Sequence, residues 1–259
     1  MDLGIAGKKA LVWGAGRGLG KAAALQLAQE GVEVTLLART ISELQTSQRD
    51  IYQQTGNRPA AVVADITTAA GRNAALAACP QPDILINNAS GPAPGDFRDW
   101  RREQWIAALD SMMLGPIDMI RLVIDGMIAR QFGRIVNITS RSVKIPQLEL
   151  GLSNSARAGL TGFVAGLSRT VIEHNVTINN ILPGIFATEG QWQHIRSLSE
   201  QTGRAFADIQ RERAAANTAK RYGRPEEFGA ACAFLCAAQA GYLTGQNLLI
   251  DGGSYPGTF

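Results

Sequence analysis

The sequence predicts one doubly wound α/β domain, a seven-stranded and mostly parallel sheet with helices on both faces, and three observations carry that expectation. Seven apolar runs of strand length recur along the chain, at residues 10–13, 32–38, 61–64, 84–86, 134–138, 176–182 and 247–250. Several are continuous in Val, Ile and Leu rather than alternating, as expected of strands covered on both faces. Between them lie stretches of helical length and spacing, among them 20–30, 41–55 and 152–174. The first run opens directly onto a glycine-rich turn, Trp13-Gly14-Ala15-Gly16-Arg17-Gly18-Leu19-Gly20, from which a helix follows.

With 259 residues and 46% apolar content the chain can bury one large core. No linker, internal repeat or low-complexity tract divides it, so residues 1–259 form a single expected domain. Residues 184–224 are a polar, charged insertion placed where a lid would be, before the helix that Pro225 opens. The net charge of +3 is spread along the chain without a basic cluster, which argues against a nucleic-acid partner. No apolar stretch approaches the roughly 20 residues that span a bilayer, and Met1-Asp2-Leu3-Gly4 has no leader character, so a cytoplasmic protein without a membrane partner is expected. Cys232 and Cys236 are four apart in an Ala-rich apolar segment and read as one buried helix face. Neither they, Cys79, nor the two histidines make a metal-ligand pattern.

The glycine turn has a chemical purpose when it joins a strand to a helix. Gly14, Gly16, Gly18 and Gly20 allow a tight turn and a close approach of backbone N–H groups, next to Leu19, to a pyrophosphate at the positive end of a helix dipole. The second run ends Leu37-Ala38-Arg39, without the acid that would hold the ribose hydroxyls of NAD(H). Arg39, joined by Arg17, is expected to hold a 2′-phosphate, so NADP(H) is the expected cofactor rather than NAD(H). The alternative for both arginines is a solvated surface position.

Further pieces of the sequence complete a family pattern: Asp65-Ile66, Asn87-Asn88-Ala89, Asn137-Ile138-Thr139-Ser140, Pro183-Gly184 with Thr188, Arg224-Pro225-Glu226-Glu227, and the tail through Thr244-Gly245 to Asp251-Gly252-Gly253. With these the chain resembles the short-chain dehydrogenase/reductase family over essentially its whole length, in particular its 3-oxoacyl-[acyl-carrier-protein] reductase-like members. The resemblance implies a Rossmann-type fold, adenine held by Asp65 and Ile66, a cleft lined by Asn88 and Ala89, and a nicotinamide met by Pro183, Gly184 and Thr188. It also implies a homo-oligomer, dimer or tetramer, paired through its long helices. Asp65 as a helix N-cap and Asn87-Asn88 as a strand-end turn remain the alternatives.

At the catalytic positions the sequence departs from that family. The resemblance implies an Asn in the fourth helix, a Ser after the fifth strand, a Tyr thirteen residues on and a Lys four beyond it. Counting from Ser140 gives Ser153 and Arg157, and the Asn position holds Met112. The four tyrosines are at 52, 222, 242 and 255, so no shift of register supplies the phenol. The expected centre is therefore Ser140, Ser153 and Arg157, with Arg157 also counted toward the ribose. A serine is too weak an acid to replace a phenol, and an arginine cannot relay protons. A guanidinium beside serines suits an anionic substrate group. Lys144, Glu149, Glu189 and His194 are the other polar candidates near the site. Gly115-Pro116 should bend or interrupt its helix. Three functions fit: an NADP(H)-dependent oxidoreductase on a small carbonyl/alcohol pair, a redox-silent NADP-binding subunit or regulator paired with an active relative, and a non-redox lyase or hydrolase.

Overall fold

A computed structural model describes residues 2–258. Seven strands form one parallel sheet: β1 (Lys9–Trp13), β2 (Glu33–Ala38), β3 (Ala60–Val63), β4 (Ile84–Asn88), β5 (Gly133–Ile138), β6 (Val176–Pro183) and β7 (Asn247–Ile250). Their order is β3-β2-β1-β4-β5-β6-β7. The winding reverses between β1 and β4, and in an open sheet the crevice above such a reversal is where ligands sit. Gly14 leaves β1 there and Asn88 ends β4 there.

The apolar residues alternate between two cores, one on each face. Ala10, Val12, Ile84 and Ile86 face α1 (Gly18–Gln29), while Leu11, Leu85 and Ile135 point to the opposite core. Behind α1 packs α9 (Pro225–Cys236), where Cys232 and Cys236 are fully buried, as their spacing predicts. Gly229 is needed at that contact, since a Cβ on it would stand 2.6 Å from the Ala22 carbonyl oxygen. The opposite core rests on α3 (Ala69–Ala78), α5 (Gly115–Ala129) and α6 (Gly151–Val171). On the flank of β2, α2 (Ile41–Thr55) ends at Gly56 in the left-handed region, φ 73°, with Gly56 N–H bonded to Tyr52 O.

The predicted interruption at Gly115-Pro116 takes a definite form. After α4 (Arg102–Leu109) the chain makes a π-helical turn, Asp110–Leu114, and resumes as α5 with Pro116 in its first turn. Pro116 has no N–H to give, and the wider turn relieves its clash with the preceding carbonyl. Met112, buried, lies in this turn.

Four strands are tied by side chains as well as backbone. Asn87 Nδ2 donates to Asn137 Oδ1 at 2.9 Å, Asn137 Nδ2 to Asn180 Oδ1 at 3.1 Å, and Asn180 Nδ2 to Asn247 Oδ1 at 2.8 Å. These residues are register partners across β4, β5, β6 and β7. The ladder fixes the strand ends from which the site is built. Residues 184–224 carry α7 (Glu189–Thr202) and α8 (Phe206–Ala216), held together by Trp192 edge-on to Phe206 and Tyr222. No helix among the described residues is long and apolar enough to cross a membrane.

Candidate functional site

The glycine turn closes against β4. A Cβ on Gly14 would fall 2.5 Å from Asn88 Nδ2, and one on Gly20 2.3 Å from Gly14 O. Asn88 Nδ2 donates to Gly14 O at 3.3 Å, which binds the two sides of the crevice. Gly14 and Gly18 have φ of 63° and 59°, a conformation that side chains oppose. Gly18, Leu19 and Gly20 are the first residues of α1, so the turn delivers the helix N-terminus to the crevice.

Eight of the residues singled out from the sequence line one cleft: Gly14, Gly16, Arg17 and Arg39 on one side, and Asp65, Ile66, Asn88 and Ala89 on the other. Asp65 does not cap α3, a role Thr68 takes by accepting from Gly71 N. Instead its carboxylate accepts from the backbone N–H and hydroxyl of Thr67. Burial raises its pKa, but those two bonds and the charge of Arg39 outweigh it, and the net displacement is downward. Arg39 is exposed and in no ion pair among the described residues. Arg17 has two partners: Nε lies 3.6 Å from Glu43 Oε1, and Nη1 donates to Gln193 Oε1 on α7 at 3.1 Å.

Glu43 is a wall residue that the reading of the sequence missed. It stands in the first turn of α2, and only the sheet order brings it against Gly16. An acid in the first turn of the helix after β2 was the available signal.

Pro183 ends β6, and Gly184 N–H bonds Ile250 O at 2.8 Å, with its α-carbon so near Asp251 that a Cβ would come within 2.8 Å of it. Thr188 caps α7 by accepting from Gln191 N, and its side chain faces Gly18. The root of the insertion therefore stands over the glycine turn.

The three predicted catalytic positions come from the β5 end and α6. Ser140 caps the short turn Arg141–Val143, its Oγ accepting from Ser142 N–H at 3.1 Å. Ser153 and Arg157, one turn apart on α6, are both 8% exposed. Arg157 donates from Nε to Ser153 Oγ at 3.0 Å, from Nη1 to Ile138 O at 2.8 Å, and from Nη2 to Ala89 O at 3.0 Å. It thus joins the ends of β4 and β5. Burial lowers its pKa to about 10, so it stays charged at neutral pH, and it forms no ion pair with any described carboxylate. Gly91 and Met112 border Ser153, with Ser153 Oγ 3.6 Å and Met112 Sδ 3.8 Å from where a Gly91 side chain would begin.

Two of the other polar candidates have side-chain partners of their own. Lys144 Nζ stands over the Tyr255 ring, 5.3 Å from its centroid, and Glu189 pairs with Arg196. His194 is pushed below its ordinary pKa by burial and by Arg213. Among the described residues no cluster of His, Cys, Asp and Glu is arranged to hold a metal ion.

The sequence profile described as short chain dehydrogenase matches residues 8–198. The chain is 30% identical over 252 residues to the NADPH-dependent reductase BacG of Bacillus subtilis (strain 168), covering 95% of this chain and 97% of the relative. It is 30% identical over 258 residues to the 3-oxoacyl-[acyl-carrier-protein] reductase FabG of Vibrio cholerae serotype O1, covering 98% and 99%. Among solved structures it superposes on L-sorbose reductase from Gluconobacter frateurii, complexed with NADPH and L-sorbose, with a TM-score of 0.94, 28% identity and 100% of both chains covered. Profile, relatives and fold agree: the chain belongs to the short-chain dehydrogenase family.

Proposed function

We propose that the protein is an NADP(H)-dependent oxidoreductase that interconverts a small carbonyl compound and its alcohol through Ser140, Ser153 and Arg157. Two of the relatives named above, BacG and L-sorbose reductase, are an NADPH-dependent and an NADPH-complexed reductase, which supports the cofactor, and all three are reductases, which supports the reaction class. The cleft suits that cofactor: glycines let backbone approach a pyrophosphate, and Arg17 and Arg39 give a cationic wall for a 2′-phosphate. Pro183, Gly184 and Thr188 are the residues assigned to its nicotinamide end. When bound, the nucleotide supplies or accepts the hydride.

One observation carries the catalytic part. Both serine oxygens already accept a hydrogen bond, Ser140 from Ser142 N–H and Ser153 from Arg157 Nε, and no described acceptor takes either hydroxyl proton. Each hydroxyl is left to donate, and such a donor stabilises negative charge growing on a carbonyl oxygen within its reach. The Arg157 charge polarises Ser153 and strengthens that donation. Neither group yields its proton at neutral pH, so the alcohol proton comes from water. Loss of a positioned acid lowers the rate by about 10²–10⁴, and the reaction is correspondingly slow. The buried, uncompensated charge on Arg157 also favours an anionic or strongly polar substrate.

A second reading has its own support. The guanidinium is tied into two strand ends, which is a structural role, and a redox-silent NADP-binding subunit would need nothing more. A dimer or tetramer fits either reading, because large apolar side chains stay exposed on several elements, among them Leu122 on α5, Phe163 on α6, Phe234 on α9 and Leu248 on β7. Fluorescence titration with NADPH, followed by loss of NADPH absorbance with aldehydes, diketones and oxoacids, separates the two. Turnover that Ser153→Ala lowers supports the enzyme; tight binding with no turnover on any substrate supports the silent subunit.

A further inference from the structure

Glu43 brings a fixed negative charge to a wall otherwise furnished with arginines. Its Cβ and Oε2 lie 2.9 and 3.0 Å from where a side chain on Gly16 would begin, and its Oε1 is 3.6 Å from Arg17 Nε. Arg39 shares the same cleft and has no ion pair among the described residues. One of the two cations is thus engaged by a carboxylate and the other is not.

We infer that Glu43 is a nucleotide-specificity residue, one that weakens the grip on a 2′-phosphate and strengthens the grip on a free ribose hydroxyl. The inference rests on the reading of this cleft as the NADP(H) site. A 2′-phosphate carries close to two negative charges. To reach Arg17 it has to displace Glu43, and it then sits beside a like charge. A 2′-hydroxyl is a hydrogen-bond donor, and a carboxylate accepts from it without giving up Arg17. The same side chain therefore acts with opposite sign on the two nucleotides. Arg39 sets the preference for phosphate and Glu43 limits it. Both members of the Arg17–Glu43 pair are more than a third exposed, so water screens the effect. Screening of that order leaves a change of about 5–30-fold in affinity.

The test uses two fragments that isolate the adenosine end, adenosine 2′,5′-bisphosphate and 5′-AMP, titrated calorimetrically into the full-length protein. Glu43→Gln should tighten the bisphosphate about 5–30-fold and weaken AMP. Glu43→Lys should tighten the bisphosphate further, which keeps the test open if the glutamine variant folds poorly. Wild-type affinities for both fragments in Glu43→Gln, or a weakened bisphosphate, would overturn the inference. If Arg39→Ala still loses the bisphosphate in that case, the nucleotide site itself stands. If wild-type protein binds neither the bisphosphate nor NADPH, the reading of the cleft fails and the role of Glu43 falls with it.

Discussion

Arg157 Nε donates to Ser153 Oγ at 3.0 Å, one helical turn away, while the same guanidinium reaches across to the carbonyls that end β4 and β5. The bond makes Ser153 an acceptor on its protein side and a donor on its open side. It also makes Arg157 a fastening between three elements. Charge, position and packing are thus combined in one side chain.

Replacing Arg157 by Met should therefore destabilise the protein. Two carbonyls and a hydroxyl lose their donor, at about 1–3 kcal/mol for each buried group left unsatisfied. Relief from burying a charge offsets part of this, and a net loss of about 1–3 kcal/mol is expected in urea denaturation. The pH dependence has a definite sign. Burial depresses the folded-state pKa of Arg157 to about 10, so above that pH the unfolded chain holds the proton more often than the native one. Stability from this group rises as pH rises through that window. The advantage of wild type over Arg157→Met should be flat below about pH 9 and should widen above 10. A difference that narrowed would contradict an uncompensated buried cation.

The asparagine ladder gives a second expectation. Asn137 sits in its middle, fully buried, and both its neighbours depend on it. Asn137→Ala strands Asn87 Nδ2 and Asn180 Oδ1 and should cost about 2–5 kcal/mol. Asn247→Ala, at the exposed end on β7, strands only Asn180 Nδ2 and should cost less, about 1–3 kcal/mol. Denaturation midpoints of the two variants check the contrast, and equal losses would mean the side chains do not act as a ladder.

These cases show what the sequence made legible. The glycine turn, the strand runs and the departures at Ser153 and Arg157 depend on local spacing, and local spacing is written along the chain. The ladder depends on register between strands far apart in sequence, so four asparagines in otherwise apolar runs gave no sign that they were partners. Glu43 likewise joins the cleft only because β2 lies beside β1. The partners of Arg157 were hidden for the same reason: a guanidinium at position 157 was readable, but Ile138 O and Ala89 O were not.

A third expectation concerns acid. Glu227 receives bidentate bonds from Arg221 at 2.8 Å each and a backbone N–H from Arg224 at 2.8 Å, closing the end of the insertion onto α9. Bonding to Arg221 first, then to Arg224 N–H, holds its pKa down to about 2. A carboxyl depressed on folding contributes stability above its unfolded pKa and loses it as pH falls through the folded one. Melting curves of wild type and Glu227→Gln should differ at neutral pH and converge as pH falls from about 4 toward 2. A gap that persisted at pH 2 would assign the difference to packing rather than charge.

The last expectation asks whether the departures at the centre are reversible. Ser153→Tyr alone places a ring against Met112 and Gly91 and beside a guanidinium fixed to two carbonyls. Overpacking of that kind costs about 1–3 kcal/mol, so the single variant should be less stable and no faster. Combining it with Arg157→Lys and Met112→Asn removes the bulky sulfur and replaces the rigid fork with a cation that can turn toward a phenol. If the rest of the site is still shaped for hydride transfer, the triple variant should oxidise NADPH with a small ketone about 10²–10⁴ times faster than wild type. A triple variant that folds, binds NADPH and shows no gain would mean that the substrate side of the cleft, and not only its acid, has been remade.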